Sequence, residues 1–122
     1  MLDDDVFVCR ALKIQLEILG FKVLVFHSSE DFLSSEIACP ASCLLIDVYL
    51  PGINGIELLQ RLKAEGAVLP AILMSGRDDA KTRRMMRLAK PAAKLFKPFD
   101  TIALERALAT ALRAHRPKRC SS

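Results

Sequence analysis

Asp47 closes the apolar run Cys43-Leu44-Leu45-Ile46 and opens into Val48-Tyr49-Leu50-Pro51-Gly52-Ile53-Asn54-Gly55. A carboxylate at the C-terminal tip of a buried strand, followed by a Pro/Gly-rich loop, sits where open α/β sheets gather their ligands. An acidic triplet, Asp3-Asp4-Asp5, stands ahead of the first helical pattern, and Lys97 follows an apolar run and precedes Pro98. Ser75 ends a further apolar run, Ala71-Ile72-Leu73-Met74. Clustered carboxylates suit a hard divalent cation, and a lysine beside them offers a point charge to anionic oxygens. At successive strand ends, these residue types suggest a site for a divalent cation and a phosphoryl group.

The elements that must position them alternate between helix and strand. Val8, Ala11, Leu12, Leu16 and Leu19 recur at helical spacing, and Gly20 supplies a stop. Val23 to Phe26 reads as a short strand, and Ser28 or Ser29 can cap a helix running toward Ile37, which Pro40 breaks. Leu44 to Asp47 is a strand, Gly55 to Glu65 a helix ended by Gly66, and Ala71 to Met74 a strand apolar on both faces. A basic helix from about Asp79 to Leu88, a short strand over Lys94 to Phe96, and a last helix capped by Asp100 complete the pattern. Strands separated by single helices imply right-handed crossovers and a parallel α/β sheet with helices on both faces. Only Met1 and Leu2 precede the triplet, so the first strand is expected to be unusually short, or to lack an upstream segment.

Length and composition narrow the classes. A chain of 122 residues fits one domain, and 52% hydrophobic residues can bury a core that must be aliphatic, with no Trp and one Tyr. Nothing approaches the ~20 apolar residues of a membrane span, and the acidic start lacks the basic opening of a signal peptide. A soluble, cytoplasmic protein is expected. Cys9, Cys39, Cys43 and Cys120 include a C-x3-C pair but no neighbouring His to complete a zinc site, so all four are read as reduced thiols. The net charge is +4, with Arg77, Lys81, Arg83, Arg84, Arg87 and Lys90 clustered and Arg113, Arg116, Lys118 and Arg119 at the end. A nucleic-acid binder could carry such charge, but this cluster lacks interleaved aromatics and reads better as a solvated helix face or a contact for an acidic protein surface.

Taken together, Asp3-Asp4-Asp5, Leu45-Ile46-Asp47, Leu50-Pro51-Gly52-Ile53-Asn54-Gly55, Met74-Ser75-Gly76 and Lys97-Pro98-Phe99 resemble the receiver domain of bacterial two-component response regulators. The resemblance runs from Asp3 to about Arg113. It implies a flavodoxin-like, doubly wound, five-stranded parallel sheet of order 2-1-3-4-5, with residues 1–114 as the receiver domain and 115–122 as a polar, basic tail expected to be disordered. It implies that Asp47 accepts a phosphoryl group from a sensor histidine kinase or phosphotransfer protein, and that Ser75 and Lys97 contact that group. Mg2+ would be held by Asp3, Asp4, Asp47 and the backbone carbonyl of Tyr49, leaving Asp5 as the extra acid. The Lys97-Pro98 bond is often cis in the family. Such a protein is a switch rather than an enzyme, signalling to a downstream protein or a homodimer partner through the fourth helix, fifth strand and fifth helix.

The chain departs from that pattern at particular positions. The family's switch aromatic, three residues before the lysine, is Lys94, and Lys90-Pro91 replaces the usual Gly-Ala before that strand. Tyr49 and Arg77 are bulky residues at positions that flank the phosphoryl site. The sequence stands closest to receivers that precede a DNA-binding domain, so a stand-alone receiver and a fragment of a transcriptional regulator are both expected readings. Three rivals fit less well. A haloacid-dehalogenase-like, Mg-dependent phosphatase needs a second Asp at the position of Tyr49. A flavodoxin-like cofactor binder needs a Ser/Thr/Gly-rich phosphate loop where this chain has carboxylates. A small basic nucleic-acid-binding module would rest on residues 77–90 alone.

Overall fold

The computed structural model describes residues 1–35, 42–66 and 69–114. Ile37, Cys39, Pro40, Cys120 and the expected tail over 115–122 lie outside the described residues. Eight elements follow one another: α1 (Val6–Ile18), α2 (Ser29–Ser34), β1 (Leu44–Asp47), α3 (Gly55–Ala64), β2 (Ala71–Ser75), α4 (Ala80–Ala89), β3 (Ala93–Phe96) and α5 (Thr101–Ala114).

Helix starts follow local side-chain chemistry. Asp5 caps α1 by accepting from the N–H groups of Phe7 and Val8, Ser28 caps α2 through Asp31, and Asn54 caps α3 through Glu57. Asp79 does the same for α4 through Thr82, and the Asp100 carboxylate accepts from Ala103 at the start of α5. Each such cap satisfies N–H groups that a helix start leaves without an internal partner. Gly66 ends the turn after α3 at φ +81°, a left-handed conformation that glycine adopts without Cβ strain.

β1, β2 and β3 form a parallel ladder in that order, pairing Asp47 with Met74 and Ser75 with Phe96. β1 and β2 are buried along their whole length, which explains their continuous apolarity. The ladder among the described residues therefore has three strands where five were expected. The expected first strand is reduced to Leu2, and the expected strand over Val23 to Phe26 to a single bridge at Phe26. Leu2 bridges Phe26 on one side and Ile46 on the other, both parallel. The physical cause is length: a strand of two residues offers its neighbours too few partners for a regular ladder. Those partners are all used. Leu2 N–H donates to Leu45 O at 2.7 Å, Asp47 N–H donates to Leu2 O at 2.9 Å, and Phe26 N–H donates to Met1 O at 2.9 Å.

Apolar side chains cover both faces of this sheet. One layer packs Cys9, Leu12 and Leu16 of α1 with Leu45, Ile72, Met74 and the Leu104, Ala107, Leu108 and Ala111 stripe of α5. The other packs Leu2, Leu44, Ile46 and Leu73 with Ile56, Leu58 and Leu59 of α3 and Met86 of α4. Full burial of one such side chain contributes about 1.5–3 kcal/mol, so Leu2 anchors the chain start firmly despite its short reach. No helix among the described residues is long and apolar enough to cross a membrane.

Candidate functional site

The ladder register places the ends of β1, β2 and β3 side by side, and the Leu2 bridge brings Asp3 to the same edge. Asp3 is fully buried and Asp47 nearly so, while Asp4 is exposed. Carboxylate oxygens of Asp3, Asp4 and Asp47 all lie within 4.8 Å of one another. Lys97, just beyond β3, donates from Nζ to Asp47 Oδ2 at 2.9 Å and also to Asp3 Oδ2. Two acids 50 and 94 positions before Lys97 in sequence thus share its ammonium group.

Asp47 is held from three directions. Its Oδ1 accepts from the Tyr49 N–H at 3.0 Å, Lys97 holds Oδ2, and its own N–H is fixed to Leu2. Gly55 presses against the backbone beneath it: a Cβ there would sit 2.2 Å from the Asp47 carbonyl oxygen, and the Gly55 N–H donates to Val48 O at 2.9 Å. Only glycine lets α3 start this close to the strand end. The Pro51-Gly52 turn is tied down by Glu30, whose Oε1 accepts from the Ile53 N–H.

Burial and the neighbouring Asp3 push the Asp47 carboxyl above its ordinary pKa, against the pull of its hydrogen bonds from Lys97 and Tyr49. For Lys97, burial works against the charged form, but bonds to Asp3 and Asp47 overcome it and hold the ammonium above its usual value. The two directions agree physically: two buried carboxylates share one cation, so the cation is stabilised while an acid remains under-neutralised. A pocket with this excess of negative oxygen fits a hard dication.

Ser75 is brought to the neighbouring strand end, but its hydroxyl turns to its own loop, donating to Arg77 O and accepting from Arg77 N–H, both at 2.9 Å. Tyr49 lies in the loop after Asp47 with its N–H directed at that carboxylate. Asp5 is spent on capping α1 and has no part in the acidic cluster. Lys97-Pro98 is a cis peptide bond. Lys94 is exposed on β3.

Several contacts were not legible in the sequence. The Tyr49 hydroxyl pairs with the fully buried Thr82 hydroxyl of α4 at 2.5 Å, and the Arg77 guanidinium lies 4.8 Å above the Tyr49 ring. His27 Nδ1 lies 3.0 Å from the Asp3 carbonyl oxygen, to which the Cys9 thiol also donates. Bulky residues at 49 and 77 signalled that the site is flanked; nothing in the sequence signalled Thr82.

A short parallel sheet with two buried acids and a lysine gathered at its carboxyl edge defines an open α/β domain with an acidic strand-end cluster. The chain matches the response regulator receiver domain over residues 1–109, and it belongs to that family. It is 32% identical to the transcriptional regulatory protein FixJ of Bradyrhizobium diazoefficiens, over 96% of this chain and 57% of that protein. It is 35% identical to FixJ of Azorhizobium caulinodans, over 92% of this chain and 53% of that protein. Among solved structures, a response regulator receiver protein from Burkholderia phymatum superposes with a TM-score of 0.79 at 33% identity, covering 92% of this chain and 91% of that one. The chain spans little more than half the length of the FixJ relatives it matches.

Proposed function

We propose that this receiver domain is a phosphorylation-dependent switch in a two-component phosphorelay, with Asp47 as acceptor. The supporting observation is the convergence of Asp3, Asp4 and Lys97 on the Asp47 carboxylate. An Asp47 carboxylate oxygen attacks the phosphorus of a donor phosphohistidine. A P–O bond forms as the P–N bond breaks, and the imidazole leaves with a proton. Carboxylate nucleophiles form such acyl phosphates in phosphoryl-transfer ATPases.

Asp3, Asp4 and Asp47, with the backbone carbonyl of Tyr49, would hold Mg2+. When bound, the ion offsets repulsion between the acids and the incoming anion and neutralises charge on the phosphoryl oxygens. Lys97 then has two tasks in sequence: it neutralises Asp3 and Asp47 at rest, and it binds a phosphoryl oxygen once Asp47 is esterified. Ser75 donates its hydroxyl to another oxygen. To do so it must release both Arg77 backbone contacts, which loosens the loop feeding α4. Tyr49, tied to Thr82 and stacked under Arg77, restricts water at the mouth and lengthens the phosphorylated lifetime. The shift reaches the face of α4, β3 and α5, where a downstream protein or second copy reads it. This is local electrostatics biasing a two-state element.

In this reading the protein is cytoplasmic, and its partners are a sensor histidine kinase or phosphotransfer protein. The domain occupies 1–114, as a stand-alone receiver or the receiver part of a transcriptional regulator, and has no catalysis beyond self-phosphorylation and autodephosphorylation. Leu2 takes the place of the first strand, between Phe26 and Ile46, in a sheet of order 2-1-3-4-5. Incubation with acetyl phosphate and Mg2+ should add one phosphoryl group by intact mass, and EDTA or Asp47→Asn should abolish the gain. Uptake that persists in Asp47→Asn would remove the proposal.

A further inference from the structure

α1 carries apolar side chains on two opposite faces. Cys9, Leu12 and Leu16 are buried in the core. Phe7, Ala11, Ile14 and Ile18 lie on the outer side; Phe7 is 79% exposed, Ile14 60% and Ile18 78%. At about 100° per residue these four fall within an arc of roughly 60°, almost diametrically opposite the buried three. Their spacing of four, three and four is that of a two-helix seam. The stripe therefore points straight away from the sheet, where a second helix can approach without the domain bodies colliding.

We infer that α1 is a homodimer interface in which two copies pair their first helices antiparallel. The seam is complementary to itself when reversed. Phe7 then meets the partner's Ile18 and Ala11 meets the partner's Ile14, each contact occurring twice about a two-fold axis, as an isologous dimer requires. Ala11, at the centre, lets the helix axes close. The flanking charges select this arrangement. Arg10 and Glu17 are both exposed, one helical repeat of seven apart, on the same flank of the stripe. Antiparallel pairing sets Arg10 beside the partner's Glu17, and Glu17 beside the partner's Arg10. Parallel pairing would set each against the half-buried, uncharged Val8 and Gln15 flank. One cation and one anion in this order match their own reverse, whereas a partner helix of single-sign charge would leave one of them opposed. The surface is separate from the face of α4, β3 and α5.

A seam on a helix of 13 residues is short. It belongs with the small interfaces, below about 1,200 Å² in total, that mark transient association, so a dissociation constant in the range of roughly 10 μM to 1 mM is expected. Sedimentation of the chain across that range should show a reversible monomer–dimer equilibrium. Ile14→Glu should abolish it. Arg10→Glu and Glu17→Arg should each weaken self-association about tenfold or more, since each replaces two attractive pairs by two repulsive ones. Mixed together, those two variants should associate about as tightly as the parent, because each supplies the charges that the other lacks. All three positions are exposed, so melting temperatures should stay near that of the parent. A parent that stays monomeric, a dimer indifferent to Ile14→Glu, or a mixture no tighter than its components would overturn the inference. Those last outcomes point instead to another face or to a helix of a different protein.

Discussion

At the scale of single residues, the site is an electrostatic compromise with one cation shared among acids. Asp3 and Asp47 are buried, and Lys97 is the ammonium bonded to both. Replacing Lys97 by Met would leave two buried carboxylates facing each other. Loss of one partner of a buried pair costs about 3–5 kcal/mol, so the urea midpoint at pH 7 should fall by the equivalent of about 3 kcal/mol. Mg2+ should recover part of that loss, because the ion takes over the neutralising role. Tyr49→Phe should cost about 1 kcal/mol in the same assay by leaving the Thr82 hydroxyl without its partner, and should shorten the lifetime of the phosphorylated form. Asp47, Asp3, Asp4 and Lys97 were legible in the sequence because each stands at an element boundary marked by a change from apolar to polar residues. Thr82 was not: it is 33 positions from Tyr49, inside a basic helix whose other residues mask a single inward hydroxyl.

At the scale of elements, the strands closest to Asp47 follow from composition, and the others from partners. Leu44–Asp47 and Ala71–Ser75 are continuous apolar runs between turn residues, and the expected strands coincide with the observed ones to within a residue. Val23 to Phe26 has comparable β-forming residues but makes only one bridge, because its neighbour offers Leu2 and little else. Pairing depends on what lies alongside, which a local pattern does not report. Leu2 consequently carries much of the alignment of Asp3, helped by the Asp3 N–H bond to Phe26 O at 3.1 Å. Leu2→Ala should cost about 2–5 kcal/mol, the range for a fully buried leucine, and should weaken Mg2+ binding more than the same truncation at Leu104 on the far side of the sheet. Gly55→Ala tests the other support of the site. Its Cβ would clash with the Asp47 carbonyl, so calorimetry should show a loss of about 1–3 kcal/mol, as overpacking gives, together with slower phosphoryl uptake.

At the scale of the whole molecule, two apolar layers clamp a narrow sheet, with the Cys9 thiol buried and Cys43 half-buried. Burial pushes the Cys43 thiol up to about 11 from its ordinary value of 9.0. A raised folded value means that the fold holds the proton more tightly than the unfolded chain does. This group's contribution to stability is thus complete below pH 9.0 and is lost as pH rises toward about 11. Iodoacetamide at pH 8 should label Cys43 more slowly in the folded protein than in urea, as timed peptide mapping would report. The α/β class and the edge where the acids and Lys97 gather could be read from the order of runs and punctuation. The three-strand ladder could not, since sheet width is a property of the assembled chain rather than of any segment.

In the proposed switch, distant side chains converge to make Asp47 the phosphoryl acceptor. The most direct measurement treats the protein with acetyl phosphate and Mg2+, reduces the acyl phosphate with borohydride, and maps the peptides by mass spectrometry. Asp47 should be converted to homoserine, dependent on both phosphodonor and Mg2+. Reduction at another carboxylate, or none at all in a protein shown to be folded, would contradict it.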